Sequence, residues 1–170
     1  MSTIAENIGS VRSEGRGAAG ILRAIARTDG NVAGAVARLT LAVVMFPHGA
    51  QKLLGWFGGY GFDGTMGYLT GSIGLPAAIA VLVILIEFFG PIALALGFLG
   101  RIAAVGVAAV MIGAVATSHV PFGFFMNWAG TQGGEGFEYH LLALALTVIV
   151  LVNGSGALSL DRRIAEEAAG

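Results

Sequence analysis

The run Leu75 to Leu99, LPAAIAVLVILIEFFGPIALALGFL, holds a single ionisable residue, Glu87, near its centre. As a helix rising ~1.5 Å per residue, it is long enough to cross the ~30 Å hydrocarbon core of a bilayer. A charge halfway across costs on the order of 3 kcal/mol or more unless it faces protein or trapped water. Such a residue therefore marks a functional site or a structural pair. Pro91, four residues on, has no N–H for the Glu87 carbonyl, and its ring crowds that oxygen. The expectation is a helix opened at the level of the acid.

The rest of the chain is as sparing with charge. Hydrophobic residues make up 56% of the 170 and charged residues 11%, with mean hydropathy +0.83, which is the composition of a membrane protein. Glu87 alone interrupts Gly64 to Gly100, and no charge falls between Ile102 and Gly134 or between Tyr139 and Leu160. These windows, with the stretch before Phe57, predict an all-α membrane protein: a four-transmembrane-helix bundle with two glycine- and aromatic-rich outer loops. A net charge of −1 gives no basic footprint for nucleic acid. The absence of cysteine excludes disulfides, thiol catalysis, cysteine-bound iron–sulfur clusters and covalent c-type haem. The first 35 residues show no compact apolar h-region, so no cleavable signal peptide is expected.

Three segments follow. Residues 1–34 read as a polar cytoplasmic tail, in which Ile21, Leu22 and Ile25 among arginines allow an amphipathic surface helix. Residues 35–160 form the membrane domain, and residues 161–170 a second cytoplasmic tail with a short surface helix. Span one, Val36 to Phe57, carries Pro47, His48 and Lys52; the last two are four apart and share a face. Between Gly55 and Gly74, eight glycines lie among Trp56, Phe57, Tyr60, Phe62 and Tyr68. That stretch predicts a loop or short half-helix at the headgroup level.

Span two enters at Pro76, and only Gly100 and Arg101 separate it from span three, which predicts a tight hairpin. In span three, Ala109, Gly113 and Thr117 form a small-residue stripe suited to close helix packing, and His119 and Pro121 end it. Span four, Phe137 to Val152, is short for a crossing and is expected to extend through Asn153 to Leu160. With four spans, eight of the nine basic residues (all but Lys52) fall on one side. The positive-inside rule makes that side the cytoplasm, with both termini there and Asp63, Glu135 and Glu138 outside.

Helical rise places His48 and Glu87 both near the midplane, close enough to touch, with Lys52 one turn further out. His119, Glu138 and His140 gather at the outer interface, so the polar residues line one outward-facing funnel. The candidate proton-handling residues are His48, Glu87 and Lys52, and the candidate cofactor-binding residues are His48, Glu87, His119, Glu138 and His140. No metal site is expected, because Glu138 and His140 are two apart and point to different faces of a helix. A haem between two histidines has no second feature behind it. The structural alternatives are a His48–Glu87 lock between spans one and two, a snorkelling Lys52, and interfacial hydrogen bonding by His119 and His140.

From His48 onward the sequence resembles a known family. HGAQKLLGWFGGYGFDGT, the GLP opening span two, Glu87 within it, the Gly100-Arg101 turn, HVPFGFFMNW and GFEYHLL occur in an ordered series, from about Arg38 to Asp161, similar to that of the DoxX family of four-helix bacterial and archaeal membrane proteins. Phe88 and Phe89 depart from it, where relatives tend to have small residues. The resemblance implies a plasma-membrane subunit linked to quinone-dependent redox chemistry, such as quinol oxidase or thiosulfate:quinone oxidoreductase assemblies.

A quinone head group needs donors to its carbonyl oxygens and a proton source, which His48, Lys52 and Glu87 could supply. The chain offers no electron carrier of its own, with no cysteine and no G-x-G-x-x-G motif. An oxidoreductase would therefore need membrane or redox protein partners, with no intrinsic cofactor, a quinone as the candidate ligand and lipid as the surroundings. The alternatives are a structural or assembly subunit without catalysis and a small proton-linked transporter. Homo-oligomerisation is compatible with either.

Overall fold

The computed structural model describes Thr28 and residues 30–167. The surface helix expected around Ile21 to Ile25 lies outside them. The α-helices of the described residues come in the order α1 (Val32–Leu54), α2 (Gly61–Gly67), α3 (Ala77–Leu96), α4 (Gly100–Ala114), α5 (Glu138–Asn153) and α6 (Leu160–Glu167), with no strand among the described residues. Asn31 starts α1, its Oδ1 accepting the Gly34 N–H at 2.7 Å. Gly55 stops it in the left-handed conformation, φ 73°.

Each long helix buries one face. The inward positions are Ala80, Ile84, Glu87, Pro91 and Leu94 on α3; Gly100, Ala104, Val107 and Met111 on α4; and His140, Ala143, Thr147 and Val150 on α5. Steps of three and four keep each set on one stripe. The helices close a ring, α1 on α3, α3 on α4, α4 on α5 and α5 back on α1. Leu41, Met45, Leu94, Val107 and Val150 fill its core. Outward faces present Val43, Leu82, Ile102 and Leu142, a surface suited to lipid.

By length and composition three helices can cross a membrane: α1, α3, and α4 with its continuation to Phe122; α5 is apolar and shorter. The continuation of α4 is a π-helical turn, Val115–His119, then a 3-10 turn, Val120–Phe122. A second π-helical turn, Tyr68–Ser72, follows α2. The first glycine-rich stretch is thus a half-helix, as expected.

Four local expectations are corrected. The hairpin turn is Gly97 to Leu99, not Gly100-Arg101, because Gly97 takes the left-handed cap at φ 63° and α4 begins at Gly100. Span four does not extend to Leu160: Gly154 ends α5, and residues 154–159 fold back beneath the bundle. The stripe Ala109, Gly113, Thr117 is exposed, and a Cβ on Gly113 would meet nothing within 4 Å. It does not serve packing inside the bundle. Finally, α3 runs without interruption through Pro91.

Residues 154–159 are held by Arg38, which is 1% exposed. Its Nε donates to the Ser155 carbonyl (2.7 Å), Nη1 to those of Leu94 (2.9 Å) and Ala95 (2.7 Å), and Nη2 to those of Ala157 (3.1 Å) and Leu158 (2.8 Å). A guanidinium has five N–H donors, so the buried charge is fully hydrogen-bonded. Beside it, buried Asp161 accepts the Leu99 and Gly100 N–H groups at 2.8 and 3.0 Å and the Ser155 hydroxyl at 2.6 Å. A distant carboxylate thereby caps the positive end of α4.

Candidate functional site

Away from that end, midway along α3, Lys52 Nζ lies 2.8 Å from Glu87 Oε2. The Glu87 side chain is 6% exposed and that of Lys52 31%. The contact is an ion pair and not a well-directed hydrogen bond, since Oε2 has no partner of hydrogen-bond geometry. The pairing expected for Glu87 was His48; the structure gives it Lys52.

The reason is the lean of helical side chains toward their own N-terminus. Helix α3 starts at the loop end, so Glu87 leans toward it; α1 starts at the Arg38 end, so Lys52 leans back from the loops and the two heads meet. The axial estimate itself holds. Gly49, next to His48, sits against Glu87 so closely that a Cβ there would overlap the Glu87 carbonyl. Pro91 offers no N–H to that carbonyl, and the missing side chain of Gly49 lets α1 approach it. Above the pair, the Thr65 hydroxyl of α2 donates to the Lys52 carbonyl at 3.2 Å, fixing the half-helix over the site.

His48 is exposed, with its ring 6.2 Å from that of Tyr139 between centroids. Tyr139 Oη donates to Met45 Sδ at 3.3 Å. His119 and His140 come together, ring centroids 4.1 Å apart, with Tyr139 5.5 Å from His140. His140 is buried and its Nδ1 has no hydrogen-bond partner among the described residues. His119 Nδ1 is 2.8 Å from the Glu135 carbonyl, which as an acceptor makes that nitrogen the N–H.

Glu138 is turned to another task. Its Oε1 accepts the Met126 N–H at 3.0 Å and the Trp128 indole N–H at 3.4 Å, while Glu135 Oε2 accepts the Asn127 N–H at 2.6 Å. Both carboxylates thus hold the second loop. Among the described residues no group of three or more His, Asp or Glu could hold a metal ion. Next to Glu87 in the chain, Phe88 has its ring 5.8 Å from that of Phe46 and meets Phe89 edge-on at 5.0 Å.

Tyr139, Met45, Gly49 and Thr65 are the members of this arrangement that reasoning from sequence leaves out. A signal existed for two of them: Arg38, Leu41, Met45, Gly49 and Lys52 recur in steps of three and four, which puts them on one helical face.

An all-helical bundle with lipid-suited outer faces and a buried ion pair defines an integral membrane protein. The family model named DoxX matches residues 33–120, over half of the chain, and the protein belongs to the DoxX family. The match takes in Arg38, His48, Lys52, Glu87 and His119 and stops short of Tyr139 and His140. The chain is 31% identical over 124 residues to a Bacillus subtilis protein named "Putative oxidoreductase CatD", covering 73% of this chain and 81% of that one. It is 30% identical over 127 residues to "Inner membrane protein YqjF" of Escherichia coli, covering 75% and 88%. No solved structure matches it.

Proposed function

We propose that this protein is the membrane subunit of a quinone-linked redox assembly, in which Lys52 and Glu87 exchange protons with a bound head group. The observation that carries the reading is the 2.8 Å ion pair set in an apolar bundle, with the exposed His48 one turn away on α1. Ionisable groups inside a membrane are costly and by default functional. The donor set fits a quinone: the Lys52 ammonium and a His48 N–H suit carbonyl oxygens, Glu87 suits a proton, and Phe88 with Phe89 suits an apolar ring. A quinone there would supply two-electron acceptor chemistry.

The residues themselves position, exclude water and hold the proton. Electrons must come from a partner, since this chain has no cysteine and no nucleotide-binding motif. The name of the Bacillus relative supports a redox setting. In this reading the membrane is the bacterial or archaeal plasma membrane, α5 is a fourth span, and both ends of the chain are cytoplasmic. His119, Glu138 and His140 form the approach to the site and take no part in head-group binding.

The test is purification in mild detergent with whatever accompanies the protein, followed by quinone reduction by wild type and Glu87→Gln. The variant keeps size and hydrogen bonding but cannot exchange a proton. It should assemble and lose turnover; normal turnover sinks the proton role. A second reading, an assembly subunit in which the pair only locks α1 to α3, is favoured by the close seat of Gly49 on Glu87. It predicts that Glu87→Gln loses stability and leaves the partner's chemistry untouched.

A further inference from the structure

We infer that His119, His140, Tyr139 and His48 form a relay that carries protons between the loop end of the bundle and the Lys52–Glu87 pair. The inference rests on the proton-exchanging reading of that pair and adds a route. Successive rings are 4.1, 5.5 and 6.2 Å apart between centroids, and His48 then shares a helical face with Lys52 four residues on. The rings are thus in sequence as neighbours, and the proposed passage runs between them directly or across one water.

The hydrogen bonding of each member separates a relay from a scaffold. Structural polar groups inside a bundle hold strong partners, because an unmet buried donor or acceptor costs about 1–3 kcal/mol. Here His140 Nδ1 is buried with no such partner. The Tyr139 hydroxyl is spent on a thioether, a weak acceptor, and is readily turned away from it. His119 is partly exposed, and its Nδ1–H on the Glu135 carbonyl leaves Nε2 as a lone pair toward an incoming proton. His140 and His48 each take a proton at one nitrogen and release one from the other; His119, whose Nδ1–H stays on the Glu135 carbonyl, takes and gives up its proton at Nε2; the phenol gives its proton as it accepts another. One proton moves per passage, no electrons move, and ring reorientation restores every group.

Lys52 is the only lysine in the chain, so feeding 15N-lysine gives one labelled ammonium. In nanodiscs, its proton exchange with water would be followed by NMR in wild type, Tyr139→Phe and His140→Phe, with Val148→Ala on the lipid-suited face of α5 as control. Exchange should slow by about tenfold or more in both relay variants and stay unchanged in the control. Tyr139→Phe removes only a hydroxyl, so it decides the matter if His140→Phe fails to assemble. Exchange as fast in Tyr139→Phe as in wild type means that the ammonium meets water by another way, and it overturns the relay. That result is separate from the quinone assay: loss of turnover in Glu87→Gln with unchanged exchange would leave the site standing and remove only this route.

Discussion

Gly49 of α1 rests directly on the carbonyl of Glu87, the residue whose carboxylate pairs with Lys52 one turn away. The contact that brings the two helices together and the ion pair between them are therefore one unit. Gly49→Ala should push α1 off α3 at this level and lower stability by about 1–3 kcal/mol, the usual cost of overpacking. Unfolding in SDS-containing mixed micelles measures this. An unchanged midpoint would mean that the crossing is looser than the structure shows.

Breaking the ion pair should be asymmetric. Lys52→Met strands a carboxylate that is almost wholly enclosed, whereas Glu87→Gln leaves an ammonium already 31% exposed and able to turn to headgroups. The first should cost about 3 kcal/mol and the second about 1 kcal/mol, with the double variant below their sum. A full double-mutant cycle checks the order; equal and additive losses would show that the groups do not depend on each other. His48→Ala, in the same cycle with Glu87→Gln, should couple weakly, since the His48 ring faces Tyr139.

Arg38→Lys keeps the charge but offers three donors to five carbonyls spread over two segments. We expect a loss of about 2–4 kcal/mol, since hydrogen bonds to a charged group contribute about 1.5–3 kcal/mol each and two are lost in part. Limited proteolysis should then cut within residues 154–159, which wild type protects. Equal protection in the two proteins would argue against this role.

For topology, a reporter fused after Gly170 should register as cytoplasmic, and one inserted between residues 58 and 64 as external. The expectation follows from the side that holds eight of the nine basic residues. A periplasmic signal from the carboxyl-terminal fusion would reverse the orientation.

Periodicity and charge spacing made the bundle readable before any coordinates, because long apolar windows bounded by arginines and glycine-rich loops admit few arrangements. The partner of Glu87 was harder to read. Rise per residue fixes depth along a helix, and depth placed position 48 level with 87 correctly; side-chain lean decides which neighbour is met, and it selected Lys52. The Arg38 end was opaque for another reason. Its hydrogen bonds run to backbone carbonyls 56 to 120 positions away, and every residue has a carbonyl, so no residue type announces the acceptor. The small-residue stripe misled because Ala109, Gly113 and Thr117 satisfy a packing pattern on the face of α4 turned away from the bundle.

The five acceptors of Arg38 also impose an order on biosynthesis. Three of them, Ser155, Ala157 and Leu158, lie 117 or more residues downstream. While the first helix is made, its guanidinium has none of these acceptors to meet. Two acceptors, Leu94 and Ala95, arrive with α3, and the other three only with the segment after α5. The hydrogen bonding of the first helix is therefore complete only once residues 155–158 are made, and a chain cut short before position 155 carries an arginine with two of its five acceptors.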